Sequence, residues 1–514
     1  MNDYGILSIV PPALSIFLAI YTRNVIFSLS VGSFMGALIL SGFNPFYAIV
    51  DLVEQHVFVQ LSSSSNSQVL IVSLVIGGFI ALLEKSGGAT SFSTLVTKFV
   101  SSPARGQIAA WFAGVTIFFT DSGNALIVGP LFRPIFRKLK LCKEKLAYII
   151  DTTAAPVSIL VPFIGWGVYI MSLIENAYGD IGLSEQAFQV LLEVWPYQFY
   201  ALLALLSIPM FISTGRDFGP MLKAQQKYNQ SLQQSTQDVQ PTKQMETLPE
   251  ENKSAPQANV KISTFLVPIS VLLFSIAGFL TYFAFTEGVG GVHVRSGIFI
   301  SYLFASMACA LLMKRNQNIG FNSSLTEFFK GMEKLIYICS ILVLAWTLSS
   351  ICKDLNTGQY LADLIGGTIP PALLPALVFL LGALMSFATG SSYGTFAILM
   401  IIVVPVAHDL GAPLTITIAA VLSGGLFGDH TSPISDTTAL ASMGSDCPHI
   451  DHVATQLSYA LISGSMAFVG FILAGYFQMP WIIVGLLLAQ FILIKTIVGL
   501  FGKDTRISPV STSS

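Results

Sequence analysis

The sequence predicts an all-α polytopic membrane protein, and three observations carry that expectation. Its 514 residues are 53% hydrophobic and only 10% charged, and the mean hydropathy is +0.73. Many apolar runs reach the length needed to cross a bilayer, about 17–25 residues. The runs are solid rather than alternating, which argues against a membrane barrel. Lipid offers the backbone no hydrogen-bond partners, so helices are the spanning element left.

Candidate spans fall near 5–22, 24–42, 67–84, 107–131, 146–174, 190–214, 262–286, 296–313, 335–351, 372–406, 454–477 and 480–502. With 411–440 as a broken or re-entrant element, and 87–101 and 355–370 as candidate re-entrant hairpins, this amounts to roughly ten to thirteen spans. The first ten residues carry no basic segment, so the first helix is expected to be a retained anchor. Cys142, Cys309, Cys339, Cys352 and Cys447 are scattered and form no Cys-X-X-Cys pair, which gives no disulfide framework. The formal net charge of −2 comes with no basic, aromatic-laced stripe, so nucleic acid is not an expected partner.

Charge in the short loops orients the chain. The segment after the fourth span holds Arg133, Arg137, Lys138, Lys140, Lys143 and Lys145 against Glu144 alone, which marks the cytoplasm. The next connection carries Glu175, Asp180, Glu185 and Glu193 and no Lys or Arg, which suits the outside. The N-terminus and the polar stretch 215–261 then fall inside. That stretch is rich in Gln, Ser, Lys and Glu, so a disordered cytoplasmic linker is expected. It divides the chain into a first membrane repeat (1–214), a second (262–477), and a C-terminal helix and tail (478–514).

The halves share an order of elements. Phe-Thr-Asp-Ser-Gly-Asn (119–124) followed by Asp-Thr-Thr-Ala (151–154) parallels Ala-Thr-Gly-Ser-Ser-Tyr (388–393) followed by Asp-Thr-Thr-Ala (436–439). Similar segments precede each, at 91–107 and 360–376. Three elements in matched order suggest duplication, of the kind that builds transporters around broken helices.

The candidate site residues lie at those breaks. The stretch Leu426–Leu461 holds four aspartates and three of the six histidines, between runs apolar enough for lipid. An ionisable group at membrane depth marks an ion or substrate path by default. Gly424, Gly425, Gly428 and Pro433 predict a broken helix there, whose freed carbonyls could meet Na⁺. Asp429 and Asp436 supply charge; Ser432, Thr437 and Thr438 supply neutral oxygens. Asp121 is the only charged residue between Arg105 and Arg133, with Asn124 three residues on, while Thr389, Ser391 and Ser392 form its hydroxyl-rich counterpart. Crowded carboxylates in a dry site cannot all ionise, so one of them can exchange H⁺ for Na⁺. Asp151 reads either as a helix N-cap or as an ion ligand. His430, His449 and His452 read as interfacial structure, as pH sensors, or, with Cys447, as a metal set whose spacing matches no standard zinc pattern.

Together these residues resemble the NhaC family of Na⁺/H⁺ antiporters. The resemblance rests on GDHTSPISDTTALAS with CPHIDHVATQLSYAL, on FATGSSYGTFAILM, and on DSGNALIVGPLFRPI with DTTAAPV. It covers both halves outside the linker. It implies two inverted repeats with re-entrant hairpins, and an elevator-like movement. The family's first-half motif carries two adjacent acids; here Thr120 stands at the first, which leaves stoichiometry and substrate open.

The expected activity is therefore exchange of cytoplasmic Na⁺ for external H⁺ across the plasma membrane. Na⁺ would be held at Asp121, Asp429 and Asp436, with Asn124, Asp151, Thr389, Ser391, Ser392, Ser432, Thr437 and Thr438 around it. The alternative is a Na⁺- or H⁺-coupled exchanger of small organic acids or amino acids. A membrane sensor acting through its linker is a third reading. No cofactor is expected beyond the transported ions, no phosphate-binding G-x-x-x-x-G-K-[ST] motif occurs, and lipid and a second copy of the chain are the expected partners.

Overall fold

The computed structural model describes residues 4–97, 100–237, 260–286, 291–365 and 368–504. Among these the chain is helical almost throughout. The β structure is one antiparallel pair of two-residue strands, β1 (Arg216–Asp217) with β2 (Lys503–Asp504). Among the described residues nine helices are long and apolar enough to cross a membrane, or up to eleven if each bent pair counts as one span.

Two helical hairpins organise the rest. In the first, α2 (Pro103–Thr116) follows α1 (Ser64–Lys85) and gives way at 117–120 to α3 (Asp121–Lys138). The break is written locally: Thr120 is extended, and its side chain accepts a hydrogen bond from the Gly123 N–H at 3.0 Å. That N-cap satisfies a donor the new helix would otherwise leave bare. The arms leave on the same side, since a Cβ on Gly106 would run into Leu139.

After α4 (Lys143–Thr152), α5 (Gly165–Asp180), α6 (Gly219–Gln237) and α7 (Phe321–Lys334) comes the second hairpin. Here α8 (Leu374–Thr389) ends at Gly390, whose φ of +66° few other residues would accept, and α9 (Ser392–Asp409) starts from the N-cap Ser391. Ser391 accepts from the Gly394 N–H at 3.3 Å, the same device as in the first hairpin. Its base is closed too: Pro371 and Asp409 line one pocket.

Two expected spans, 107–131 and 372–406, are thus hairpins, while the expected hairpins at 87–101 and 355–370 contain the short helices Gly88–Thr97 and Thr357–Ile365. Two apolar arms and one apolar span have the same hydropathy; only the small polar residues at the tip separate them. The expected span 146–174 is likewise interrupted, between Thr152 and Gly165.

The region 411–440 differs from expectation in another way. Helix α10 (Leu414–Thr431) runs unbroken through Gly424, Gly425 and Gly428. Its break comes later, around Pro433, before α11 (Asp436–Ser445). The glycines serve packing instead. A Cβ on Gly424 would strike the Phe379 carbonyl, and one on Gly428 the Ala383 carbonyl, so α10 lies backbone to backbone on hairpin arm α8. Small residues make such contacts in membranes, and offset the about 0.5–1 kcal/mol that glycine costs a helix.

The hairpins enter from opposite faces. Helix α12 (His449–Phe477) has 29 residues, a length of about 43 Å. Pro448, at its start, shares a pocket with Leu141 just past the first hairpin's base. Gly475, at its far end, abuts the Ala372 carbonyl at the second hairpin's base. The halves are inverted repeats.

The stretch 215–261 opens with built structure rather than disorder. Gln225 of α6 accepts from the Cys142 N–H at 3.0 Å and donates to the Lys140 carbonyl at 2.9 Å, capping the turn between α3 and α4. Asp217 of β1 pairs with Lys145 of α4 at 2.6 Å. Residues 238–259 lie outside the described ones.

Candidate functional site

The two hairpin tips meet at a cavity of about 480 Å³. Thr120, Asp121 and Ser122 line it from the first tip; Thr389, Gly390, Ser391, Ser392 and Tyr393 line it from the second. The break between α10 and α11 adds Asp429, Asp436 and Thr437.

Each acid sits where a helix begins or ends. Asp121 opens α3, and its Oδ1 accepts from the Ser122 N–H at 2.6 Å and the Ser122 hydroxyl at 3.1 Å. Its Oδ2 accepts from the Trp166 indole N–H at 3.1 Å. Trp166 in turn packs on Tyr393, ring centroids 4.2 Å apart, which joins the tips through an aromatic wall. Asp436 opens α11 and accepts from the Thr437 N–H at 2.8 Å. Both acids benefit from the positive end of a helix dipole.

Asp429 is different. It lies in the last turn of α10 and is only 4% exposed. Its Oδ2 accepts from the Ser392 hydroxyl at 2.6 Å and the Ser392 N–H at 3.2 Å. Its Oδ1 is buried and has no hydrogen-bond partner. Such an orphan oxygen costs about 1–3 kcal/mol, a cost that a bound cation would remove.

The expected residues divide between this cavity and a second polar cluster beside it. Asp151 is fully buried; its Oδ2 accepts from the Thr438 hydroxyl at 3.0 Å and the Gln456 amide at 2.7 Å. Gln456 also donates to the His430 carbonyl. The His430 ring bonds Tyr200 at 2.6 Å and Thr152 at 3.1 Å. His452 bonds Gln456 at 2.9 Å and Ser442 at 2.9 Å, while His449 bonds Ser442 at 3.1 Å and the Pro433 carbonyl at 2.6 Å. The histidines therefore hold helix ends together around Asp151.

Two other candidates are also structural ties. Asn124 donates to the carbonyls of Gly114 and Thr153 at 3.0 and 2.9 Å, fastening the first tip to the end of α4. Ser432 donates to the Phe387 carbonyl at 2.7 Å. Asp151 is no N-cap, because it lies next to last in α4. Among the described residues no three His, Cys, Asp or Glu side chains converge to hold one metal ion, so Asp121, Asp429 and Asp436 line the cavity as separate groups.

The internal repeat has a better register than the matched DTTA tetrapeptides. Asp151-Thr-Thr-Ala-Ala-Pro156-Val157-Ser158 aligns with Asp429-His-Thr-Ser-Pro433-Ile434-Ser435 once one residue is skipped. In both, the aspartate closes a helix and the proline follows the break. Asp151 is the counterpart of Asp429, and Asp436 lies one step beyond. Lys334 and Arg23, which stand in none of the sequence motifs, also line the cavity, as does Glu84, which the sequence reads as a helix-terminus pair with Lys85.

Comparison with known proteins agrees with this architecture. The description of the Na⁺/H⁺ antiporter family matches residues 157–476, more than half of the chain. The chain belongs to the Na⁺/H⁺ antiporter family. The antiporter match takes in the second hairpin, Asp429 and Asp436, and leaves Asp121 and Asp151 outside. An uncharacterized protein of Haemophilus influenzae is 30% identical over 490 residues, 91% of each chain. The malate-2H⁺/Na⁺-lactate antiporter of Bacillus subtilis is 26% identical over 42% of this chain and 46% of its own. Among solved structures, the YdaH transporter of Alcanivorax borkumensis superposes with a TM-score of 0.55 at 16% identity, over 88% of this chain and 89% of that one. That likeness concerns the fold.

Proposed function

We propose that this antiporter exchanges cytoplasmic Na⁺ for external H⁺ in the plasma membrane, with its N-terminus in the cytoplasm. The observation that carries the reading is that Asp429, which lines the cavity where the hairpin tips meet, keeps a buried Oδ1 with no hydrogen-bond partner. Na⁺ is a hard cation that takes oxygen ligands. Asp429 supplies charge; Ser392 holds it, and Ser391, Thr389 and Thr437 line the same cavity with neutral oxygens. Asp121 and Asp436 flank the ion as separate carboxylates. Protonation of Asp429 expels Na⁺, and arriving Na⁺ expels the proton, so one site serves both ions in turn. The basic loop from Arg133 to Lys145 supports the orientation. The test is a proteoliposome assay: an outward Na⁺ gradient should drive proton uptake with no organic solute present, and Asp429→Asn should abolish it.

A second reading has its own support. About 480 Å³ is far more room than one ion needs and falls in the range of small-molecule sites. Arg23 and Lys334 place positive charge on the same walls, where a solute carboxylate could bind, and one relative carries malate and lactate in its name. If proton flux appears only when an organic acid or amino acid is added, this reading replaces the first.

A further inference from the structure

Glu84 reads in the sequence as a helix-end residue beside Lys85. Its surroundings give it a second role. Helices α1 and α7 cross with their backbones in contact at Gly77 and Gly331: a Cβ on either would strike the other's carbonyl. That crossing fixes where the last turns of both helices go, and it delivers Glu84 and Lys334 to the cavity that holds Asp429.

The Glu84 carboxylate is held unequally on its two oxygens. Oε1 accepts from the Thr120 hydroxyl at 3.3 Å and lies over the first turn of α3, 2.6 Å from where a Cβ on Gly123 would be. Thr120 and the helix end orient that oxygen. Oε2 faces the Lys334 ammonium at 3.7 Å, an ionic contact too long for a hydrogen bond. The Lys334 side chain is 68% exposed and that of Glu84 28%, so solvent screening leaves the pair weak. A carboxylate fixed on one oxygen and loosely neutralised on the other can accept a different cation. Asp429, whose buried Oδ1 has no hydrogen-bond partner, lines the same cavity.

We propose that Glu84 is a cation-binding carboxylate of the cavity, and that Lys334 is a tethered cation which occupies it while no Na⁺ is bound. This rests on the reading of the cavity as the ion path. Incoming Na⁺ meets Glu84 before Asp429 and displaces the lysine ammonium, and the lysine returns as Na⁺ leaves. Lys334 thereby competes with Na⁺ and sets its apparent affinity.

The experiment is Na⁺ titration by calorimetry of purified, monodisperse protein, comparing wild type with Glu84→Gln, Lys334→Gln, the double variant and Asp429→Asn. Glu84→Gln should weaken Na⁺ binding by about tenfold or more. Lys334→Gln should strengthen it several-fold, which loss of a structural contact would not do. The double variant should match Glu84→Gln, because the lysine acts only through that carboxylate. Glu84→Gln/Thr120→Asp, which returns a carboxylate to the same corner, should recover affinity. Unchanged affinity in Glu84→Gln, or unchanged or weaker binding in Lys334→Gln, overturns the proposal. If Asp429→Asn abolishes binding while Glu84→Gln does not weaken it, only this inference falls. If wild type and Asp429→Asn bind Na⁺ equally, the reading of the cavity falls with it.

Discussion

Asp151 and Asp429 occupy equivalent stations in the two inverted halves and face different surroundings. Each sits in the last turn of a helix that stops before a proline-marked break. Asp429 turns to its own hairpin, where Ser392 holds it. Asp151 turns to the other half, where Thr438 and Gln456 hold it. Both keep a buried Oδ1 without a hydrogen-bond partner, but Asp429 lines the cavity between the hairpin tips and Asp151 does not.

That asymmetry predicts opposite phenotypes for the same substitution. Asp429→Asn should abolish Na⁺-dependent exchange and leave thermal stability close to wild type, since Ser392 can still donate to an amide oxygen. Asp151→Asn likewise keeps an amide oxygen for Thr438 and Gln456, and because Asp151 lies off the cavity it should retain Na⁺-dependent exchange. Thermal unfolding and transport, measured on the same preparations, separate the two. Equal loss of transport in both variants would refute the distinction.

The hairpin tips predict a capping effect. Ser391 accepts from the Gly394 N–H where α9 begins, so Ser391→Ala should cost about 0.5–2 kcal/mol, whereas Ser391→Asn should retain most of the cap. The measurement is the melting temperature in detergent. An alanine variant as stable as the asparagine variant would show that the cap does not hold the tip.

Much of this was legible in the chain, and the remainder has identifiable causes. Asp121 and Asp429 stand out because charge at membrane depth is costly wherever it falls. Hydropathy sums side chains, so it could not see that 107–131 and 372–406 turn back on themselves; the turning residues, Thr120 and Gly390-Ser391, are too small to register. Gly424 and Gly428 pointed to a break because glycine is a poor helix former, but the same missing Cβ is what lets α10 lie against α8. The DTTA match drew attention from the Asp-to-Pro register, which needs a one-residue skip. Glu84 was hidden by Lys85 next to it, because its partner Lys334 is distant in sequence.

The packing role of the glycines predicts a sharp contrast. Gly428→Ala forces a methyl group into the Ala383 carbonyl, and such overpacking costs about 1–3 kcal/mol. Gly485, in the helix Ile482–Phe501, has nothing within 4 Å of a built Cβ. Gly485→Ala should therefore be neutral or slightly stabilising, since alanine favours the helix by about 1 kcal/mol. Comparable losses in both variants would mean that α8 and α10 are not in backbone contact.

The shared site predicts how pH and Na⁺ trade against each other. Na⁺ binds the ionised form of Asp429, and protonation removes that form, so the apparent Na⁺ affinity must weaken as pH falls. The coupling is reciprocal, because each ligand alters the other's binding free energy by the same amount. With one proton displaced per Na⁺, the affinity should fall about tenfold per pH unit below the pKa of the site, roughly 1.4 kcal/mol. Above that pKa it should level off. Calorimetric titration of Na⁺ from pH 6 to 9, in two buffers of different ionisation enthalpy, reports the affinity and the protons released together. Buffer-dependent heat with affinity falling toward low pH is the expected result. A pH-independent affinity with no proton release would rule out competition at Asp429, and Na⁺ would then act as a co-ligand for an organic solute in the same cavity.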